Sequence, residues 1–378
     1  MSYLYQYLLF LAQAVTIAAV LVVVFGALAG LRGQRGETAP GRLTAVRVNE
    51  QFDDYRDLLR SMLLDKDSYK ALIKAEGKAE KAADKARAKE SVATVKQGVG
   101  QDEAALPGKS RLFLLDFDGD LEASQVAALR REITALLTVA TASDEVLVRL
   151  ESPGGLVHGY GLAASQLARI RRRGIPLTVA VDRVAASGGY MMACVADRIL
   201  AAPFAVIGSI GVVAQVPNVH RLLKKNDVDF EVLTAGRYKR TLTVFGENTD
   251  EGRAKFLEDL EVTHALFQSH IQEYRPTLDM DTVATGEAWY GNDALARGLV
   301  DEILTSDDYL VAACRERDVF RLRWREERKP IERILARAES ALTSLPRRWW
   351  GASPADPQSR LAPQAQAETT LTGLHLRD

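Results

Sequence analysis

Along this chain the spacing of apolar positions changes several times, and each change marks a boundary. Residues 8–31, LLFLAQAVTIAAVLVVVFGALAGL, are nearly continuous in apolar character, and no charged side chain occurs in 1–31. A helix of that length spans a bilayer. Tyr3, Tyr5 and Tyr7 cluster at one end, where an interfacial aromatic belt falls. A cleavable signal peptide is the rival reading, because Ala27-Leu28-Ala29 has the A-x-A form. The run lacks a preceding Lys or Arg and exceeds the roughly 7–15 residues of a signal-peptide core, so a retained anchor is the better reading.

The pattern then turns polar. Within 32–105 the stretch from Asp53 to Glu90 is rich in Ala, Lys and Glu and reads as helix. Leu72, Ala75, Ala79, Ala82 and Ala86 form a narrow seam at alternating spacings of three and four, with Lys74, Lys78, Lys81, Lys85 and Lys89 alongside. Such a helix either contacts lipid head groups or a partner, or is simply a solvated, charge-laced face. Residues 97–110, QGVGQDEAALPGKS, have no apolar period and read as a linker.

From 111 the texture becomes an alternation of apolar strands and amphipathic helices. RLFLLDFDGDL, EVLVRL at 145–150, PLTVAV at 176–181 and RILAAP are strand-like; SQVAALRREITALLTVA and GLAASQLARIRRRG, closed by Gly174, are helical. All-apolar strands in β-α-β order predict a parallel sheet layered between helices, with right-handed crossovers. The uncharged stretch 199–219 imitates a second membrane span, but Pro203, Gly208, Gly211, Pro217 and many β-branched residues predict buried strands and turns. DFEVLTAGRYKR reads as a short strand and a turn at Gly236. A long helix with a capping signal at Thr249 follows, and 284–303 reads as turn, short helix and strand. The resulting division is 1–31 anchor, 32–105 charged helical extension and linker, 106–315 α/β domain, 316–350 basic segment and 351–378 disordered tail. The basic segment carries an amphipathic helix with Ile331, Ile334 and Leu335 on one face, then Arg347-Arg348 beside Trp349-Trp350.

Charge and cysteine content narrow the function. With 49 basic and 50 acidic residues the net charge is −1, which argues against nucleic acid as a partner. The two cysteines, Cys194 and Cys314, make neither a disulfide framework nor a metal cluster, and Cys194 reads as a core residue.

The candidate chemistry lies where strands end in glycine pairs. Ser187 stands directly before Gly188-Gly189 and the apolar segment YMMACVA, the layout of a nucleophile elbow without its Gly-x-Ser-x-Gly pattern. Glycines there permit a sharp strand-to-helix turn, and the free N–H groups of a helix start can hold an oxyanion. The bland alternative is an ordinary glycine-rich turn. Ser152-Pro153-Gly154-Gly155 is a second such turn, and the two together would supply converging donors, the N–H groups of Gly155 and Gly188. A serine nucleophile also needs a base. None of the five histidines stands in a recognisable partner motif. A lysine serves if an apolar pocket keeps its amine neutral. Lys239 in TAGRYKRT is one candidate among many.

At this point LESPGG, VDRVAASGGYMMA, GSIGVV, TAGRYKRTLT and WYGNDALARGLVDEI, in that order, resemble the signal peptide peptidase A family of membrane serine proteases. The chain is most similar to its inner-membrane type from Gram-negative bacteria, over essentially 1–315. The resemblance implies a ClpP/crotonase-like fold and a Ser/Lys dyad needing no metal or cofactor. Ser187 matches the nucleophile and Lys239 the general base. Ser209 in GSIG matches a hydroxyl near the lysine amine, and Gly155 and Gly188 match the oxyanion donors. It also implies a homo-oligomer whose dyad is shared between adjacent subunits, acting on signal-peptide remnants or unfolded envelope polypeptides. The family places the body in the periplasm, although Arg32, Arg35, Arg42 and Arg47 after the span favour the reverse. This chain has one catalytic module where long family members have two. The alternatives are a crotonase-type acyl-CoA enzyme and a non-catalytic membrane scaffold.

Overall fold

The computed structural model describes residues 41–78 and 110–326, with isolated helical positions elsewhere. Almost all of the expected anchor and of the linker, Ala79 and Ala86 of the alanine seam, the C-terminal helix and the tail lie outside the described residues.

The four apolar runs become adjacent strands of one sheet: β2 (Arg111–Asp118), β3 (Glu145–Glu151), β4 (Leu177–Val181) and β6 (Arg198–Ala201). Seven strands take the order β1-β10-β2-β3-β4-β6-β9, completed by β1 (Gly41–Arg47), β9 (Glu302–Ile303) and β10 (Asp318–Glu326). Every pairing from β10 to β9 is parallel. Gly41–Arg325 form one compact unit.

Side chains alternate across the sheet and so divide the core in two. Leu115, Phe117, Val148, Leu150 and Val179 face the helices α2 (Val126–Leu136), α3 (Val157–Arg172) and α4 (Gly188–Ala193). Leu112, Leu114, Leu147, Ala180 and Leu200 point to the other face, against Leu310 and Ala313 of α9 (Ser306–Glu316) and Val48 of α1 (Val48–Leu63). Cys194 belongs to the first core and is fully buried, as its position predicted.

A second sheet of three short strands, β5 (Val184–Ala186), β7 (Val206–Gly208) and β8 (Ala288–Tyr290), stands beside the first. β5 and β7 are parallel, β7 and β8 antiparallel. Among the described residues no helix is long and apolar enough to cross a membrane, in keeping with the rejection of a span at 199–219. Its first part does form β6 and β7, but Val213 and Val216 are exposed, so the expectation of buried strands fails beyond Gly211.

Three other departures have physical causes. The segment 229–240 is not a strand: it is exposed throughout and has no neighbouring strand to pair with. The helix read from Asp53 onward is two, 48–63 and 66–78. The break falls at Asp65, whose Oδ1 accepts the backbone N–H of Asp67 and Ser68. The basic stretch after 318 is β10, an inner strand. Arg321 reaches Asp116 of β2, and Arg47 of β1 pairs with Asp318 at 2.6 Å. Thr249 caps the long helix α6 (Asp250–Tyr274) as predicted, its Oγ1 accepting the N–H of Gly252 at 3.1 Å.

Candidate active site

β5 ends at Ala186 and α4 begins at Gly188, so Ser187 is the whole of the turn between them. It takes φ 52° and ψ −118°, a conformation that a side chain disfavours by roughly 1–3 kcal/mol. The unusual backbone angle therefore sits on the serine. Gly188 and Gly189 have no positive φ, and are needed for close packing instead. A Cβ on Gly188 would enter the Tyr160 ring, and one on Gly189 would lie 2.5 Å from the Ser152 carbonyl oxygen. Ser187 donates its N–H to the Gly208 carbonyl at 2.7 Å and accepts from the Met191 N–H at 2.9 Å, which holds the turn at both ends.

The second glycine turn leaves β3 and packs directly on the first. Gly154 has φ +89°, and a Cβ there would lie 2.7 Å from both the Ala186 carbonyl oxygen and Ser187 Cβ. It would also lie 2.8 Å from Gly188 N. The two turns thus face each other. Among the described residues, neither the Gly155 N–H nor the Gly188 N–H donates a hydrogen bond. Two unengaged donors beside a serine are what a tetrahedral oxyanion requires.

A buried network that sequence reasoning missed holds the second turn. Ser152 and Tyr160 are both 0% exposed. Their hydroxyls lie 2.6 Å apart, and the Tyr160 hydroxyl donates to the Asp120 carbonyl at 2.7 Å. Ser152 Oγ then accepts the Gly154 N–H at 3.1 Å. Burial raises the Tyr160 pKa, so the phenol stays a donor. The Leu156 N–H donates to the Leu121 carbonyl at 2.8 Å, tying the same turn to the loop after β2. No local pattern marks these partners, since up to 40 residues separate them.

Ser209 repeats the geometry of Ser187 one strand away. Ala186 and Gly208 are register partners at the ends of the parallel pair β5 and β7. Ser187 and Ser209 follow them with φ 52° and 50°. Neighbouring strands run about 4.8 Å apart, so the two serines leave the sheet side by side. The Ser209 N–H is held by the Glu287 carbonyl at 2.6 Å.

Lys239 is not part of this gathering. It lies on the arm 212–245, which contains no fully buried residue. Lys239 is exposed, and among the described residues its amine makes no hydrogen bond or ion pair; its own N–H donates to the Gly236 carbonyl at 3.1 Å. It lines a cavity of about 800 Å³ with Val216, Phe230, Leu233, Val244 and Phe245. Of the four described histidines, His270 Nε2 contacts the Met191 carbonyl at 3.0 Å, His264 contacts Gln268, His220 opens the helix His220–Lys225, and His158 lies in the first turn of α3, just past the second glycine turn. Among the described residues no group of His, Cys, Asp or Glu is arranged to hold a metal ion.

Strand-to-helix turns with two unengaged N–H groups beside a serine have the geometry that acyl transfer needs, and comparisons with known proteins point to a class that performs it. The family description "Peptidase family S49 N-terminal" matches residues 2–167, and "Peptidase family S49" matches 169–319. The probable protease SohB of Haemophilus influenzae is 48% identical over 343 residues, covering 91% of this chain and 95% of that one. The probable protease SohB of Buchnera aphidicola subsp. Acyrthosiphon pisum is 58% identical over 228 residues, covering 60% and 68%. A putative signal peptide peptidase SppA of Enterococcus faecium is 30% identical over 177 residues, covering 46% and 51%. The chain belongs to peptidase family S49, a serine protease family, and the resemblance read from its motifs is borne out. It is a hydrolase of peptide bonds.

Proposed function

We propose that this peptidase is a membrane-anchored endopeptidase with the ClpP/crotonase-like fold, working by a Ser187/Lys239 dyad. The observation that carries the reading is the pair of unengaged N–H groups, on Gly155 and Gly188, at two turns packed against Ser187. The neutral Lys239 amine takes the proton of Ser187 Oγ, and the oxygen attacks the peptide carbonyl. The oxyanion rests on the Gly155 and Gly188 N–H groups. Collapse expels the amine, which leaves with the proton from Lys239, and water then releases the acyl group. Ser209 orients the lysine amine from its place beside Ser187.

Lys239 comes from a second copy of the chain in this reading. In support, the arm 212–245 exposes Val213, Leu222, Phe230, Leu233 and Phe245 and has no core of its own. An arm so apolar is suited to lie against another protein surface. A closed homo-oligomer would bring each arm to a neighbour's Ser187. Residues 8–31 anchor the assembly in the bacterial inner membrane with the body on the periplasmic side. Its substrates are signal-peptide remnants or unfolded envelope polypeptides.

The test combines labelling with complementation. A fluorophosphonate should label Ser187, and Ser187→Ala and Lys239→Ala should each lower turnover by at least about 10³-fold. Mixing the two inactive proteins under demonstrated subunit exchange should restore part of the activity. Wild-type-like turnover by folded Lys239→Ala refutes the dyad, and exchange without recovery refutes the shared site. In spheroplasts, added protease should digest the body; protection until the membrane is broken reverses the orientation.

A further inference from the structure

Helix α1 is fixed at its base and unsupported at its tip. Val48 and Asn49 are buried, and the Asn49 amide donates to the Cys314 and Arg317 carbonyls at 3.0 and 2.9 Å. Its Oδ1 accepts the Val319 N–H at 2.8 Å, and Phe52 packs against the second core. Beyond Phe52 the helix leaves that core. Leu58, Leu59, Met62, Leu63 and Leu64 are all exposed, Met62 by 77% and Leu63 by 81%. The chain then turns at Asp65, whose carboxylate caps the second helix, 66–78. Arg60 and Glu76, 2.8 Å apart, tie the two helices together. The hairpin therefore presents five large apolar side chains at one rigid apex.

Lysines line the returning arm of that apex. Lys66, Lys70, Lys74 and Lys78 recur every fourth residue there, all exposed, while Arg56 and Arg60 on the outgoing helix are paired with Asp53 and Glu76, and Asp65 and Asp67 stand at the turn itself. Leucines at a tip with lysines behind them match the headgroup–acyl boundary of a bilayer, where apolar groups sink and cations meet phosphate. Chain length allows the contact. The uncharged run ends at Leu31, ten residues before Gly41, an extended reach of about 34 Å. The 16 residues of α1 add a lever of about 24 Å.

We propose that the Leu58–Leu64 apex is a second membrane contact, dipping into the surface of the lipid bilayer. It rests on the reading of 8–31 as an anchor, and it would fix how the peptidase body stands on the membrane.

The test uses the full chain reconstituted in vesicles of phosphatidylcholine and phosphatidylglycerol. An environment-sensitive fluorophore is attached at Leu63→Cys, in a Cys314→Ala background. Cys194 is buried and stays unlabelled. A control label goes at Leu222→Cys, also on an exposed apolar residue. Spin-labelled lipid should quench the label at 63 and leave that at 222 bright. Equal brightness at both positions overturns the proposal. So does a disulfide that joins two copies through Leu63→Cys before labelling, which would mean that a second copy covers the apex. A chain that is stripped from the vesicles by alkaline carbonate loses the anchor reading as well; a retained chain with an unquenched label loses only this inference.

Discussion

The contact between the two glycine turns yields a sharp prediction at Gly154. Alanine there carries two separate penalties. The first is conformational: φ +89° is open to glycine, and a side chain costs about 1–2 kcal/mol. The second is steric. The new Cβ would lie 2.7 Å from Ser187 Cβ and from the Ala186 carbonyl oxygen, and 2.8 Å from Gly188 N. These are atoms of the turn itself, so no flexible side-chain end can yield. Restoring an ordinary contact moves the turns apart by about 0.7 Å, beyond the roughly 0.5 Å within which a catalytic constellation is held. Displacements of about 1 Å cost on the order of 10²-fold in rate. Gly154→Ala is therefore expected to lose about 10²-fold in kcat on a fluorogenic peptide. Gly174→Ala is the control: its φ is +70°, but nothing lies within 4 Å of the added Cβ. It should lose only about 1 kcal/mol of stability and keep its activity. Near-wild-type kcat in folded Gly154→Ala, or an equal loss in Gly174→Ala, would refute this reasoning.

Other positions give independent tests. Tyr160→Phe leaves the Ser152 hydroxyl and the Asp120 carbonyl without their buried partner, and should cost about 1–3 kcal/mol by denaturant titration while lowering kcat. Asn49→Ala strands the Cys314 and Arg317 carbonyls and the Val319 N–H, for an expected loss of about 3 kcal/mol. A change below about 1 kcal/mol would show that water replaces the amide. Glu132 is 4% exposed, and burial above all raises its carboxyl from 4.5 to about 7, against the Trp324 N–H that it accepts. Between those values the unfolded chain ionises first, so stability should fall by about 3 kcal/mol as pH rises from 4.5 to 7. Glu132→Gln should flatten that part of the melting profile; an unchanged slope would place the pH dependence elsewhere.

The chain by itself determined much of the centre of this protein. Strands β2, β3 and β4 are mainly apolar runs, interrupted by Asp116, Arg149 and Thr178, and a strand buried on both faces leaves little else to write in its sequence. Helix starts with a local signal, such as Thr249, were legible for the same reason. So was Ser187, because glycine pairs at two strand ends are local features, and the ordered motifs around them led to the peptidase family. What only the tertiary structure decided depends on partners far along the chain. β10 reads as a basic tail until Asp116, 205 residues away, accepts Arg321. The brace of Ser152, Tyr160 and Asp120 is invisible for the same reason. Glycine gave a partly mistaken reason for the elbow: the positive φ falls on Ser187, and Gly188 and Gly189 are small because Tyr160 and Ser152 press against them. Lys239 was named by its motif, yet within one chain it lies on an exposed arm. A sequence records which residues a motif contains, but burial, register and the approach of distant backbone are properties of the packed whole.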